Sequence, residues 1–201
     1  MSIFCQNKVV GGINYGLWQS CALALDGCIY FIQYDARRIM KLNPNNIDAM
    51  TSVGDDLGDD CMKFVGTVVG IDGCIYGMPY WYNSKWILKY DPINDITSHV
   101  GEESVGLFDC NGNDALGRDG CIYAFIHSQV LKIDTTYNSH CFVGEYIMPD
   151  HNSCCGWGDA ILGIDGCIYW PPQDARRILK YDPHSNLTSL VGDDFGTDTY
   201  K

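Results

Sequence analysis

The sequence predicts an all-β chain: a β-propeller built from four four-stranded blades, each 46–47 residues long. Three observations predict it. The pentapeptide DGCIY recurs at Asp26–Tyr30, Asp72–Tyr76, Asp119–Tyr123 and Asp165–Tyr169, at intervals of 46, 47 and 46 residues. A second block follows each copy, ending at Pro44, Pro92, Asp134 and Pro183, and a third closes each unit at Val53, Val100, Val143 and Val191. Polarity also rises through each unit, from an apolar first strand to a Thr- and Ser-rich last one, as expected of sheets arrayed radially about an axis.

Each element follows from its residues. Strand A is the stretch before Asp-Gly, such as Cys21–Leu25 or Ala160–Ile164. Asp-Gly reads as a two-residue hairpin turn with both central positions at positive φ. Strand B is Cys28–Ile32 and its copies, apolar at consecutive positions and so expected to be covered on both faces. Strand C is RIMKL or RILKY, stopped by Asn-Pro or Asp-Pro because proline cannot continue a ladder. Strand D ends in Val-Gly. Two positions before each turn stand only Ala24, Gly70, Gly117 and Gly163, which reads as crowding of an innermost strand around the axis. The expected organisation is a single domain over 1–201, with blades at 13–58, 59–104, 105–148 and 149–196. Residues 1–12 read as an extra strand-D-like segment, so either this strand covers an exposed edge of a four-bladed ring, or the chain is part of a larger ring or a self-associating array.

Composition narrows the partners. Apolar residues make up 46% of the chain and charged residues 19%, which suits a packed core. The net charge of −12 repels phosphate backbones and anionic membrane surfaces, so neither nucleic acid nor membrane is expected. Eleven cysteines suggest a disulfide scaffold until their places are read. Cys28, Cys74, Cys121 and Cys167 share one repeat position, where neighbouring sheets about 10 Å apart put them beyond bridging distance. They read as buried free thiols. With no basic and apolar leader at the start, the expected location is cytoplasmic.

The pattern A-x-G-x-DG-x-IY, then (I/V)-L-K-(Y/I)-D and VG, resembles the blades of NHL-type, quinoprotein-like and SMP-30-like propellers across nearly the whole chain. It lacks the Trp-Asp ending of WD40 blades and the paired glycines of kelch blades, although it falls within the same broad propeller class. The SMP-30-like resemblance implies a divalent cation held by channel carboxylates. Such blades serve many functions, so the resemblance concerns fold first.

In an up-and-down meander the B–C and D–A connections share one end. The D–A loops there are acidic, with Asp55 and Asp56 foremost. The B–C loops carry Tyr34, Arg37 and Arg38; Tyr80, Trp81 and Tyr82; and Trp170, Arg176 and Arg177. Loops on a rigid scaffold are where binding resides, and this face is the candidate binding surface. Asn113, Asp114 and Asp159 stand where strand A enters the channel and form a candidate site for a divalent cation. No other cofactor is indicated. No nucleophile elbow, P-loop or dinucleotide fingerprint occurs, and Cys154–Cys155 beside His151 lacks zinc spacing.

The sequence therefore reads as a non-enzymatic binding or scaffold propeller, taking a protein or a small polar ligand on its acidic, aromatic-bearing loops. Two alternatives stand beside it. One is a metal-dependent hydrolase or lactonase of the SMP-30-like type. The other is a self-assembling repeat protein, homo-oligomeric through unpaired edge strands.

Overall fold

The computed structural model describes residues 16–80, 86–101, 114–126, 128–148 and 156–196. Among the described residues sixteen strands form four separate antiparallel sheets, each an uninterrupted meander. Blade 1 comprises β1 (Trp18–Leu23), β2 (Ile29–Gln33), β3 (Ile39–Asn43) and β4 (Asn46–Val53). Blade 2 comprises β5 (Phe64–Val69), β6 (Ile75–Pro79), β7 (Leu88–Asp91) and β8 (Ile96–His99). In blade 3 the strands are β9 (Asp114–Leu116), β10 (Ile122–Ile126), β11 (Gln129–Asp134) and β12 (Ser139–Val143). Blade 4 has β13 (Ile161–Leu162), β14 (Ile168–Trp170), β15 (Ile178–Asp182) and β16 (Leu187–Val191). The all-β, four-blade expectation is met. The first strands line up in sequence, β1 against β5, β5 against β9 and β9 against β13.

Three apolar seams hold neighbouring blades together. Tyr30, Ile32 and Ile39 of blade 1 meet Ile75, Leu88 and Tyr90 of blade 2. Tyr76, Met78 and Ile87 meet Ile122, Leu131 and Ile133 at the second seam. Tyr123, Phe125 and Val130 meet Ile168, Leu179 and Tyr181 at the third. Strands β6 and β10, each with a blade on either side, are buried at every position, whereas β2 and β14 are not. Covering on both faces, read from the apolar runs, therefore holds in full for the two middle blades.

The repeated pentapeptide has a specific physical cause. In blade 1 the Asp26 carboxylate accepts from the Cys28 amide at 3.0 Å, the Tyr30 hydroxyl at 2.8 Å and Lys41 Nζ at 2.8 Å. Blades 2, 3 and 4 repeat this with Asp72–Tyr76–Lys89, Asp119–Tyr123–Lys132 and Asp165–Tyr169–Lys180. Each lysine ammonium also lies over its tyrosine ring, 5.2–5.8 Å from the centroid. Burial opposes the Asp26 charge, but the bonds from Lys41, Cys28 and Tyr30 prevail and hold its carboxyl down at about 2.

Two details differ from the sequence reading. The turn is not a two-residue one: the Gly27 amide bonds to Ala24 O at 3.0 Å, the Ala24 amide bonds to Cys28 O at 2.9 Å, and only Gly27 has positive φ. This is a three-residue loop ending in a left-handed glycine. The aspartate is kept for its carboxylate, not for a left-handed backbone. Nor are the small residues before the turn explained by crowding at the axis. A Cβ on Gly117 would stand 2.7 Å from Tyr123 Cε2 and 2.8 Å from Asp119 Oδ1, within its own blade. Gly70 and Gly163 meet the same pair of groups, and Gly70 also meets Thr135 Cγ2 of the next blade at 3.2 Å. The tyrosine that reaches back to the turn needs that space.

The four repeat cysteines are free and buried, as their spacing indicated. Burial pushes the Cys121 thiol up to about 11 and Cys74 to about 12, so both stay protonated and unreactive at neutral pH.

Candidate functional site

The strand-A entrances converge on a polar cavity of about 280 Å³. Gln19 and Ser20 line it from blade 1, Val65, Gly66 and Thr67 from blade 2, Asp114 from blade 3 and Asp159 from blade 4. Local backbone irregularity shapes it. The β1–β2 ladder skips Gln19, and the β5–β6 ladder skips Gly66, which adopts a φ of 71°. These bulges bend the inner strands at the cavity and turn side chains that regular pleating would place elsewhere. Ser20 Oγ and Thr67 Oγ1 share a short hydrogen bond across the first seam.

Of the three predicted channel-mouth residues, the structure brings Asp114 and Asp159 to this one cavity, and Asn113 lies outside the described residues. Asp114 is partly buried as a residue, yet its Oδ2 is shut off from solvent and has no hydrogen-bond partner among the described residues. Burial, reinforced by the charge of exposed Asp159, pushes its carboxyl up to about 8. At neutral pH Asp114 is therefore a neutral acid beside an ionisable one. Among the described residues no group of three His, Cys, Asp or Glu side chains could hold a metal ion. Asp114 and Asp159 are the carboxyls that line this cavity among the described residues, and a divalent cation held there would need ligands beyond these two.

The loops around the cavity are organised by their arginines. Arg37 holds Asp56 at 2.7 Å and Asp59 at 2.6 Å, and Arg176 holds Asp194 in the same way. These bonds from Arg37 and the Gly58 amide lower the Asp56 pKa. Arg38 donates to Gly54 O, and its own carbonyl accepts from Trp18 Nε1 at 3.3 Å. Blade 4 repeats the tryptophan contact, Trp157 Nε1 donating to Arg177 O at 2.8 Å. The Asp-Ala-Arg-Arg segments thus clasp the B–C loop to the D–A loop of the same blade.

The predicted aromatics fare differently. Tyr34 is buried and packs on Tyr80, with ring centroids 5.5 Å apart. Trp170 is fully buried against Phe125 in the third seam, so its ring belongs to the core and not to the loop face. Trp81 and Tyr82 lie outside the described residues. The exposed apolar side chains of this region sit instead on the D–A connections: Tyr146, Met148 and Phe195. They alternate with acid. Asp55 is exposed, as are Asp60, Glu145 and Asp193, and none of the four makes an ion pair among the described residues.

Sequence reasoning also missed Lys63. Its side chain is buried, with Nζ donating to the carbonyls of Gly58 and Asp60, and burial lowers its pKa. A lysine inside an acidic loop gives no sequence signal that its head is turned inward. Gln19, Ser20 and Thr67 were missed because a bulge, invisible in the repeat pattern, aims them at the cavity.

Solved structures share this architecture. One is a catalytically inactive virginiamycin B lyase from Staphylococcus aureus bound to quinupristin. It is 12% identical, with a TM-score of 0.67 over 92% of this chain and 59% of that one. A streptogramin B lyase is 15% identical, with a TM-score of 0.66 over 89% of this chain and 55% of that one. An auxiliary nutrient binding protein from Bacteroides ovatus is 11% identical, with a TM-score of 0.59 over 90% of this chain and 43% of that one. The fold is a β-propeller. At these identities the likeness concerns the fold alone. This chain spans between two fifths and three fifths of the length of those neighbours. No family model and no curated protein matches the sequence.

Proposed function

We propose that this chain is a binding propeller that captures a basic protein segment on its D–A connections. One observation carries the reading. Asp55, Glu145 and Asp193 make no ion pair among the described residues, and exposed Tyr146, Met148 and Phe195 lie on the connections that carry Glu145 and Asp193, while Arg37 and Arg176 are already committed to Asp56, Asp59 and Asp194. Carboxylates without local counter-ions, interleaved with exposed apolar side chains, suit a partner that brings lysine or arginine together with apolar residues. The overall charge of −12 speeds its approach, and the cavity beside Asp159 can accept one cationic head group. The blades resemble the NHL type in sequence pattern, and one structural neighbour is described as a nutrient binding protein; both accord with a binding role.

Binding of a fluorescent oligolysine peptide tests this. Asp55→Lys combined with Asp193→Lys should remove binding, while Ile93→Lys combined with Tyr137→Lys, at exposed positions on the C–D turns of blades 2 and 3, should leave most of it. Equal loss from both variants would reduce the interaction to net charge and overturn the reading.

The hydrolase alternative would need at least one further oxygen ligand beside Asp114 and Asp159. Metal content after purification without chelator tests it directly. Stoichiometric divalent metal, lost in Asp159→Ala, would favour it over the binding reading.

A further inference from the structure

The blade seams follow one rule that the last blade leaves unused. Leu25 of blade 1 lies against the turn glycine Gly73 of blade 2, Ile71 against Gly120, and Arg118 against Gly166. The residue in this place on blade 4 is Ile164, which is 95% exposed, and the turn glycine of blade 1, Gly27, has nothing within 4 Å of its Cβ position among the described residues. The outer edge repeats the pattern. The Gly54 amide donates to Asp95 Oδ1 of the next blade at 2.7 Å, Gly101 to Asn138 O at 2.9 Å, and Gly144 to Asn186 Oδ1 at 3.0 Å. The equivalent Gly192 meets only Ile178 of its own blade among the described residues. The tyrosines agree: Tyr30, Tyr76 and Tyr123 are buried by a following blade, and Tyr169 is not. Among the described residues the four blades therefore form an open arc, with a leading face on blade 4 and a trailing face on blade 1.

These two faces are complementary to each other. Ile164 is a match for the empty place over Gly27, and Tyr169 for Leu42, just as Tyr76 meets Ile133 at the second seam. Leu42 and exposed Met50 are paired on blade 1 as Tyr90 and Thr97 are on blade 2, and Met50 presents an apolar side chain where Thr97 presents a hydroxyl acceptor.

We infer that the arc is closed by a second copy of this chain, the blade-4 face of each copy seated on the blade-1 face of the other. Identical head-to-tail contacts close into a ring when the rotation fits. Two arcs give eight blades, within the usual range of about four to eight. Two equivalent seams then bury Ile164, Tyr169, Met50 and Leu42 of each copy, and the central cavity becomes enclosed on all sides.

Sedimentation equilibrium of the full chain across a concentration series tests this. The expected result is the mass of two copies. Ile164→Glu and Met50→Glu, each at an exposed position on opposite faces, should both give the one-copy mass with unchanged circular dichroism. Ile93→Glu, 89% exposed and away from either face, should keep the two-copy mass. A one-copy mass for the unmodified chain at every concentration would overturn the inference, as would mass that grows without limit. So would a two-copy mass that survives Ile164→Glu. The basic-peptide assay above reads loop carboxylates and is independent of this outcome.

Discussion

Tyr123 donates its phenolic hydroxyl to Asp119 across 2.7 Å, and the same carboxylate binds Lys132 at 3.2 Å. That relationship, repeated in every blade, explains why the pentapeptide and the later lysine travel together. It fastens the A–B turn to strands B and C. Removing the hydroxyl leaves a charged acceptor short of a donor, so Tyr123→Phe should cost about 1.5–3 kcal/mol in chemical denaturation. Tyr169→Phe, at a tyrosine that is only partly buried within one copy, should cost less at concentrations where single copies prevail.

Gly117 lies under that ring. Gly117→Ala forces a methyl against Tyr123 and Asp119 and should destabilise by about 1–3 kcal/mol. Blade 1 carries Ala24 at this place and has adjusted to it, so Ala24→Gly should not raise stability. Thermal unfolding of the two variants provides the comparison.

Asp114 predicts a pH signature of opposite sign to the turn aspartates. Its folded pKa, about 8, lies above its ordinary value of 3.8, so the folded state holds a proton that the unfolded state releases. Its contribution is intact below about pH 4 and is lost as pH rises towards 8. Asp114→Asn should therefore match the parent at pH 4 and exceed its stability at pH 9. Asp26, held down at about 2, contributes above pH 4 and loses that contribution as pH falls through 2. Urea midpoints measured from pH 3 to pH 9 separate the two.

Arg37 clasps Asp56 and Asp59. Arg37→Gln releases Asp56 and Asp59 and should strengthen oligolysine binding, with a steeper dependence on salt. Binding measured at two ionic strengths checks this, and weaker binding would put Arg37 in the contact surface.

Much of the fold was legible because the repeat states its own register. The DGCIY copies fixed four sheets, strand B as the buried strand and Pro44, Pro92 and Pro183 as strand ends. Asp114 and Asp159 could be placed at the channel because strand A must enter there. What the pattern hid was side-chain direction. Trp170 and Tyr34 stand at strand B ends, where a one-residue change in pleat decides between loop face and core, and both turned inward. The cavity lining from Gln19 to Thr67 depends on two bulges that periodicity cannot show. The turn glycines looked like simple punctuation, yet Gly73, Gly120 and Gly166 are also seats for the preceding blade.

Amide hydrogen exchange with and without a saturating oligolysine peptide tests the binding reading most directly. Protection should rise at 54–60, 144–148 and 192–196, and should not change at the Asp-Gly turns around Gly27, Gly73, Gly120 and Gly166. Protection confined to those turns, or absent from the D–A connections, would contradict it.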